Sequence, residues 1–320
     1  MYYLGIDLGG TNIAVGVVDE SYKIIKKKST PTMANRDGKL IIKDMAAVCK
    51  AVVEECGLTI DDIEYAGIAT PGTANSDTGV VEYANNLPFK KFPIADLLKE
   101  YLGVKKVYIE NDANAAAKAE AIAGAAKGAQ YSVMITLGTG LGGGIVIDNK
   151  VYSGFNHAGA ELGHIVIEKD GKQCTCGRRG CWETYSSATG LANMTKEHIL
   201  KAREEGRKTV LEDLIHGDLD NVNARVAFAA MKQGDEVGKE IVDKFISYLA
   251  CGIANVINIF QPNVLSIGGG VCNEKEYLLE PLNEAVFSQT YTKKGSRQTE
   301  IKIAEMGNDA GIVGAAVLGL

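Results

Sequence analysis

The chain has 320 residues, of which 46 % are hydrophobic, and its formal net charge is −6. That length exceeds one comfortable core, so we expect two domains or lobes. No basic run supplies the clustered Lys and Arg that a nucleic-acid surface needs. No apolar run reaches membrane-spanning length, and the start has neither the basic flank nor the apolar stretch of a signal peptide. We therefore expect a cytoplasmic protein without nucleic-acid or membrane partners.

The first third of the chain predicts the element order βββαβαβ. Two β-branched or aromatic runs around the turn GGTN predict a hairpin, and a helix is predicted from Ile41, Met45, Val48 and Val52 because they recur at helical spacing. Between the next strand and the next helix, a polar loop is expected up to Asn86. The predicted strands are 2–7, 13–18, 22–29, 63–69 and 106–110, with helices over 41–57 and 94–101.

A second unit with the same opening pattern follows. The alanine-rich segment 112–126 predicts a helix, after which strand 131–137, a glycine turn and strand 144–147 repeat the start of the chain. Beyond a cysteine-rich loop the chain is predicted to be mostly helical through Ile259, with a strand at 264–267 and a closing helix at 310–320. The repeat suggests two related lobes.

Three glycine-rich segments each follow a predicted strand: DLGGTN at 7–12, LGTGLGGG at 137–144 and IGGG at 267–270. Glycines leave backbone N–H groups free to approach phosphate oxygens, and Thr11 and Thr139 add hydroxyl donors. One such loop is more often a plain hairpin turn, but three in one chain predict phosphate binding. None has the Walker or GxGxxG pattern.

Asp112 ends a strand and starts the alanine-rich helix. It is either an N-cap or a carboxylate that accepts the proton of a substrate hydroxyl, and both roles can hold together. The pair Asn85-Asn86 is either turn chemistry or the source of an amide for neighbouring sugar hydroxyls.

Four potential zinc ligands lie within eighteen consecutive residues: His164, Cys174, Cys176 and Cys181. One imidazole and three thiolates make a closed tetrahedral set of the structural kind. The alternative is three reduced surface cysteines beside an unrelated histidine. Glu161 and Glu183 flank this set, and a metal-bound loop would hold both carboxylates in fixed positions.

These segments together resemble the ROK family of bacterial sugar kinases and repressors, over the whole length of the chain. The resemblance rests on DLGGTN, LGTGLGGG, the pair Asn111-Asp112, AGAELGH at 158–164 and CTCGRRGCWE at 174–183. It implies an α/β, two-lobed actin-like ATPase (ribonuclease H-like) fold with an active-site cleft between the lobes. The implied lobes are 1–115 plus 307–320, and 116–306.

The resemblance also implies a role for each matching residue. Asp112 is the implied catalytic base, and the implied sugar contacts are Gly72, Asn86, Asn111, Asp112, Glu161, His164 and Glu183. The implied nucleotide contacts are Asp7, Gly9, Gly10, Thr11, Asn12, Thr139, Gly140, Gly268, Gly269 and Gly270. The implied cofactors are ATP, Mg²⁺ and a structural Zn²⁺ held by His164, Cys174, Cys176 and Cys181. The chain departs from the family pattern at Phe89-Lys90-Lys91, where Trp is frequent, and at Trp182, where a smaller residue is common.

From these features we expect an ATP-dependent kinase that phosphorylates the 6-hydroxyl of a hexose, with glucose as the first candidate. The alternatives are an N-acetylmannosamine or N-acetylglucosamine kinase, or a sugar-responsive repressor. A repressor would carry a helix-turn-helix domain before the first glycine loop, whereas a strand is predicted from Tyr2. The expected partners are the sugar, ATP and further copies of the chain, in a homodimer or larger homo-oligomer. We also expect loss of zinc to disorder 171–183 and to leave nucleotide binding intact.

Overall fold

The computed structural model describes residues 1–292 and 295–320. Its strands are β1 (Tyr2–Leu8), β2 (Asn12–Asp19), β3 (Ile24–Pro31), β4 (Ile63–Thr70), β5 (Thr73–Asn75), β6 (Val80–Tyr83), β7 (Lys90–Phe92), β8 (Val107–Asn111), β9 (Tyr131–Leu137), β10 (Leu141–Ile147), β11 (Lys150–Val151), β12 (Val264–Gly268) and β13 (Glu300–Ile303). Its helices are α1 (Gly38–Glu55), α2 (Ile94–Leu102), α3 (Asp112–Ala123), α4 (Glu183–Ser186), α5 (Ala188–Glu205), α6 (Val210–Leu214), α7 (Val226–Lys232), α8 (Glu236–Phe260), α9 (Glu276–Phe287) and α10 (Ala310–Ala316).

The chain folds into two compact units, each α/β in composition. The first comprises 1–134, 144–160 and 304–320, and the second comprises 135–143 and 161–303. The lobe boundaries implied by the sequence, at residues 115 and 306, remain a prediction. In the part of the chain that the structure describes, no helix is long and apolar enough to cross a membrane.

The first five-stranded sheet has the strand order β3-β2-β1-β4-β8. Strands β1, β2 and β3 pair antiparallel, as the hairpin signal predicted, while β1, β4 and β8 run parallel. Because parallel strands end at the same edge of a sheet, the register brings Asp7 beside Ala69 and Thr70 beside Asn111. The loops after these three strands therefore start from one edge.

Helices cover both faces of the first sheet. Ile41, Met45 and Val52 of α1 are fully buried against it, which confirms the predicted helical spacing. Helix α10 packs on the sheet through Ile312, and a Cβ added at Gly67 would overlap the carbonyl of Ala315. Glycine in the strands thus allows the closing helix to approach the backbone directly.

The predicted polar loop up to Asn86 is wrong. Strands β5 and β6 lie within it, and together with β7, which follows Asn86, they form a small three-stranded antiparallel sheet. Two of these strands have only three residues, which is too short for a hydrophobic alternation that could be recognised in the sequence. Their conformation depends on the hydrogen bonds between the strands.

The second five-stranded sheet has the order β11-β10-β9-β12-β13. Strand β12 pairs parallel with β13, and β10 pairs antiparallel with β11. The longest helix, α8, has 25 residues and buries one face that includes Ile241, Phe245 and Leu249. A Cβ added to Gly252 of this helix would overlap the indole ring of Trp182, which is fully buried. Trp182 is therefore a core residue.

Candidate active site and metal centre

The first glycine loop is a tight turn at the end of β1. The N–H of Gly9 donates to the carbonyl of Asn12 at 2.9 Å. The buried hydroxyl of Thr32 donates to the carbonyl of Gly9 at 2.7 Å, and the N–H of Thr32 donates to the carbonyl of Thr11 at 2.8 Å. These bonds fix the loop while the side chains of Thr11 and Asn12 stay exposed. Thr32 lies too far along the sequence for any motif to have assigned it.

Three of the predicted sugar contacts lie close to this turn or to the neighbouring strand ends. A Cβ added at Gly10 would lie 3.2 Å from the Cβ of Asn86, so the two residues are neighbours. The side-chain amide of Asn111 donates to the carbonyl of Gly72 at 3.1 Å. Gly72 and Asn86 are both exposed. The first unit thus presents amide groups next to a glycine turn.

Asn111, and not Asp112, is the N-cap of α3. Its side-chain oxygen accepts from the N–H groups of Ala113 and Asn114 at 2.9 and 3.2 Å, and Asp112 is the first helical residue. The N-cap alternative for Asp112 is therefore wrong, because β8 extends one residue further than predicted and shifts the cap to Asn111. The Asp112 side chain is accessible to solvent.

Two carboxyl groups in this region are harder to ionise than usual. Burial, and after it the charge of Asp112, raises the pKa of Asp7 to about 6. Desolvation also raises the pKa of Asp112, against the opposing hydrogen bond from the N–H of Ala113. A bound cation would offset both effects, so this pair fits the predicted Mg²⁺-nucleotide. Raised carboxyl pKa values are typical of functional sites.

Residues 137–143 of the second glycine loop and all of the third belong to the second unit. In the second loop, the N–H of Gly138 donates to the carbonyl of Gly140 at 3.0 Å, and Thr139 is exposed. In the third, Gly268 is buried at the end of β12, and Gly269 and Gly270 are exposed. Gly269 has φ +97°, and a Cβ there would overlap the carbonyl of Leu137. This position therefore needs glycine for both its conformation and its space.

Recesses adjoin both of these loops. One of about 410 Å³ borders the third loop and is lined by Ala188, Asn223, Ala224, Arg225, Gly270, Val271 and Glu274. Another of about 580 Å³ borders the second loop, and its lining includes Thr139, Gly140 and Glu183. The 410 Å³ recess includes Gly270, one of the nucleotide contacts implied by the family resemblance, and Arg225 is a lining residue that no motif indicated.

The four predicted zinc ligands converge. The ligand atoms of His164, Cys174, Cys176 and Cys181 all lie within 4.8 Å of one another. The Sγ atoms of Cys176 and Cys181 are 3.6 Å apart, and the Sγ of Cys174 lies 3.8 Å from Nδ1 of His164. A tetrahedral site with Zn–S bonds of about 2.3 Å has S···S separations of about 3.8 Å. A disulfide needs about 2.05 Å, and all seven cysteines are free.

The donor set and its surroundings fit Zn²⁺. Backbone bonds within the loop, such as that from the N–H of Cys174 to the carbonyl of Arg178 at 2.9 Å, fold it into a compact turn. Desolvation raises the pKa of Cys181 to about 12, so a cation is what would keep that buried sulfur ionised. His164, Cys174, Cys176 and Cys181 would hold the ion, which would fix the loop and leave Nε2 of His164 as a donor.

Glu183 contacts both the second glycine loop and the cysteine cluster. Its Oε2 accepts from the N–H of Leu141 at 3.1 Å. Its Oε1 lies 3.6 Å from the Sγ of Cys174 and 4.0 Å from Nδ1 of His164. Sequence reasoning placed Glu183 beside the metal loop and missed Leu141, because this contact joins residues 42 positions apart. Glu161 directly precedes the 3₁₀ turn that contains His164, and its side chain is exposed.

The two departures from the family pattern include core and surface residues: Phe89 and Trp182 are buried, whereas Lys90 and Lys91 are exposed. Phe89 is buried and stacks on Phe92, with ring centroids 4.4 Å apart and planes 9° apart. Lys90 and Lys91 belong to β7 and, like Phe89, lie in the first unit.

Comparison with known proteins agrees with the resemblance seen in the sequence. The chain is 36 % identical over 324 residues to a glucokinase from Thermotoga maritima, covering 98 % of this chain and 95 % of the relative. A ROK family glucokinase from Streptomyces griseus, solved in complex with glucose and AMPPNP, is 34 % identical with a TM-score of 0.80, covering 99 % of both chains. An N-acetyl-D-glucosamine kinase from Aliivibrio salmonicida is 30 % identical over the full length of both chains.

A model of the ROK family matches residues 3–320. Its members among the solved structures share the α/β, two-lobed architecture expected from the sequence. The chain belongs to the ROK family.

Proposed function

We propose that this protein is an ATP-dependent hexose kinase that phosphorylates the 6-hydroxyl of glucose. The observation that supports this most is the junction of β8 and α3, where Asn111 supplies the N-cap and the exposed residue Asp112 is free of that role. The full-length similarity to glucokinases adds the substrate class.

In this proposal Asp112 accepts the proton of the sugar hydroxyl. The sugar O6 forms a bond to the γ-phosphorus of ATP, and the bond from that phosphorus to the β,γ-bridging oxygen breaks, so ADP leaves with the bonding pair. Because phosphoryl transfer passes through a loose transition state, Asp112 mainly orients the hydroxyl and takes its proton late. The raised pKa of Asp112 suits a group that must hold a proton for part of the cycle.

The remaining residues bind and orient. Asp7 and the turns that contain Thr11 and Thr139 are the proposed contacts of the metal-bound phosphates, and the third glycine loop is the proposed adenosine contact. Asn86, Asn111 and Gly72 are proposed sugar contacts. Glu161, His164 and Glu183 are further proposed sugar contacts. Mg²⁺, bound with ATP, would neutralise the charge that develops on the transferred group.

A panel of sugars with MgATP tests the substrate. We expect kcat/KM for glucose to exceed that for N-acetylglucosamine and N-acetylmannosamine by at least about tenfold, because the acetamido group needs room and a hydrogen-bond partner at C2. ADP release measured for each sugar supplies the values. A ranking led by an acetamido sugar would replace glucose kinase by amino-sugar kinase, which the similarity to an N-acetyl-D-glucosamine kinase supports as the second candidate.

We also propose that the protein works as a homodimer or larger homo-oligomer. Light scattering at assay concentration gives the molar mass that tests this, and a mass of 34.0 kDa, that of one chain, would contradict it.

A further inference from the structure

The conformation of the second glycine loop depends on the segment that directly follows the cysteine loop. Besides the bond from the N–H of Leu141 to Glu183, the N–H of Ala188 donates to the carbonyl of Gly138 at 2.9 Å. A Cβ added at Gly140 would overlap the carboxylate of Glu183. The loop backbone therefore rests on the side chain of Glu183 and on the start of α5.

The same segment is held by the cysteine loop. Glu183 lies two residues after the ligand Cys181, and the intervening Trp182 is fully buried. The N–H of Trp182 donates to the carbonyl of Ile165 at 2.8 Å, directly after His164. The hydroxyl of Tyr185 accepts from the N–H of Lys172 at 2.7 Å. These bonds connect α4 and its N-cap to the backbone next to His164 and to the backbone two residues before Cys174.

Glu183 thus contacts both the second glycine loop and the cysteine cluster. One carboxylate oxygen accepts from the glycine loop, and the other lies within 4.0 Å of ligand atoms of His164 and Cys174. With 20 % of its side chain exposed, Glu183 is confined by these neighbours. A change in the position of the cysteine cluster must therefore move the carboxylate on which the glycine loop rests.

We propose that Glu183 is a positioning residue that couples metal binding at the cysteine cluster to nucleotide binding at Thr139 and Gly140. This deepens the proposed function, on which it rests, since it assigns the nucleotide phosphates to that loop. It also replaces the expectation that zinc loss spares nucleotide binding. Loss of the metal should weaken nucleotide binding even when no sugar is present.

The test is the affinity for MgADP without sugar, measured by calorimetry for protein with bound zinc and for protein stripped by a chelator. For the wild type we expect stripping to weaken MgADP binding roughly 5- to 50-fold, the range of one charge-assisted hydrogen bond and of ordinary coupling between sites. In Glu183→Gln, which keeps the size of the side chain, the two affinities should differ less than about twofold. Glu212→Gln is the matched control, because Glu212 pairs with Arg203 at 2.6 Å and lies outside both the cysteine loop and the recess beside the second glycine loop. In this control, zinc removal should weaken MgADP binding as much as it does in the wild type.

A second readout follows from reciprocity. If zinc strengthens MgADP binding, MgADP must strengthen zinc binding by the same factor, and competition with a chromogenic chelator measures it. Equal MgADP affinities for zinc-bound and stripped wild type would overturn the coupling and leave the kinase proposal standing. Undiminished coupling in Glu183→Gln would show that another residue carries it. Wild-type protein that binds no MgADP in either form would overturn both proposals.

Discussion

At the scale of single residues, the proposed mechanism depends on the different roles of Asn111 and Asp112. Asn111 caps α3 and its side-chain amide donates to the carbonyl of Gly72, so Asp112 does not supply the cap and is available for the proposed role of base. The sequence predicted the pair but gave the cap to the wrong member. A one-residue shift of a strand end cannot be derived from hydrophobic pattern, because both residue types are good caps.

Asp112→Asn should abolish most of the turnover without unfolding the protein. The amide keeps the shape but is not basic, so kcat should fall by roughly 10² to 10⁴-fold, and the melting temperature should change little because Asn111 still caps the helix. Steady-state kinetics and thermal unfolding of both proteins measure these effects. Near-normal turnover in the folded variant would remove Asp112 from the mechanism.

Ionised Asp7 should lower the free energy of unfolding above about pH 6. Its pKa is raised from 3.8 to about 6, so between these values the folded protein binds more protons than the unfolded chain. The free energy of unfolding therefore falls as pH rises through this window, and above it the charged Asp7 is a cost. Asp7→Asn should be more stable than the wild type at pH 7.5 by about 1 to 3 kcal/mol and show little gain near pH 4.

Urea unfolding without nucleotide or divalent cation at both pH values measures the difference. The variant should also be a poorer kinase if Asp7 contacts the metal nucleotide. An equal destabilisation at both pH values would mean that the Asp7 carboxylate is a structural hydrogen-bond acceptor.

At the scale of elements, hydrophobic runs in the sequence predicted the long strands but did not predict the short strands β5 to β7. Strands β1, β2, β4 and β9 were predicted within a residue or two, because runs of β-branched residues are a local property. Strands β5 to β7 exist only through pairing with each other. The cysteine cluster was predicted in full because its ligands are close in sequence, whereas the contact between Glu183 and Leu141 depends on tertiary structure.

Gly140 should tolerate no side chain, because of Glu183. Gly140→Ala places a methyl group where the carboxylate lies, so Glu183 must move and the KM for ATP should rise roughly tenfold while the protein stays folded. Gly138→Ala is the matched control in the same loop, since a Cβ there would meet only the carbonyl of Gly140 at 4.0 Å. If both variants kept a normal KM for ATP, the loop would be only a turn.

Metal content should follow the cysteine cluster. Four ligands in one tetrahedral site predict about one zinc per wild-type chain. Cys176→Ser should lose most of that zinc and lose hydrogen-exchange protection over 171–183, because the metal supplies folding free energy to the loop. Cys251→Ser, outside the cluster, should keep its zinc. Elemental analysis of the wild type, Cys176→Ser and Cys251→Ser measures the zinc content of each. A metal-free wild type would refute the zinc assignment.

At the scale of the whole molecule, two α/β units carry complementary parts of the proposed chemistry. The first has the candidate base, one glycine turn and the amides near it, and the second has most of the other two glycine loops and the cysteine cluster. Chain length and the repeated strand-glycine-strand pattern predicted this two-part architecture. The choice among hexoses was not predictable, because it depends on side-chain packing around one carbon of the sugar.

Identification of the product tests the central claim most directly. Purified protein is incubated with MgATP and glucose, and the products are followed by ³¹P NMR. We expect a phosphate monoester on C6 of glucose that grows in equal amount with ADP, and no such signal when glucose is omitted or when Asp112→Asn replaces the wild type on the same timescale. Inorganic phosphate in place of a sugar phosphate, or a phosphate on another carbon of glucose, would contradict the account.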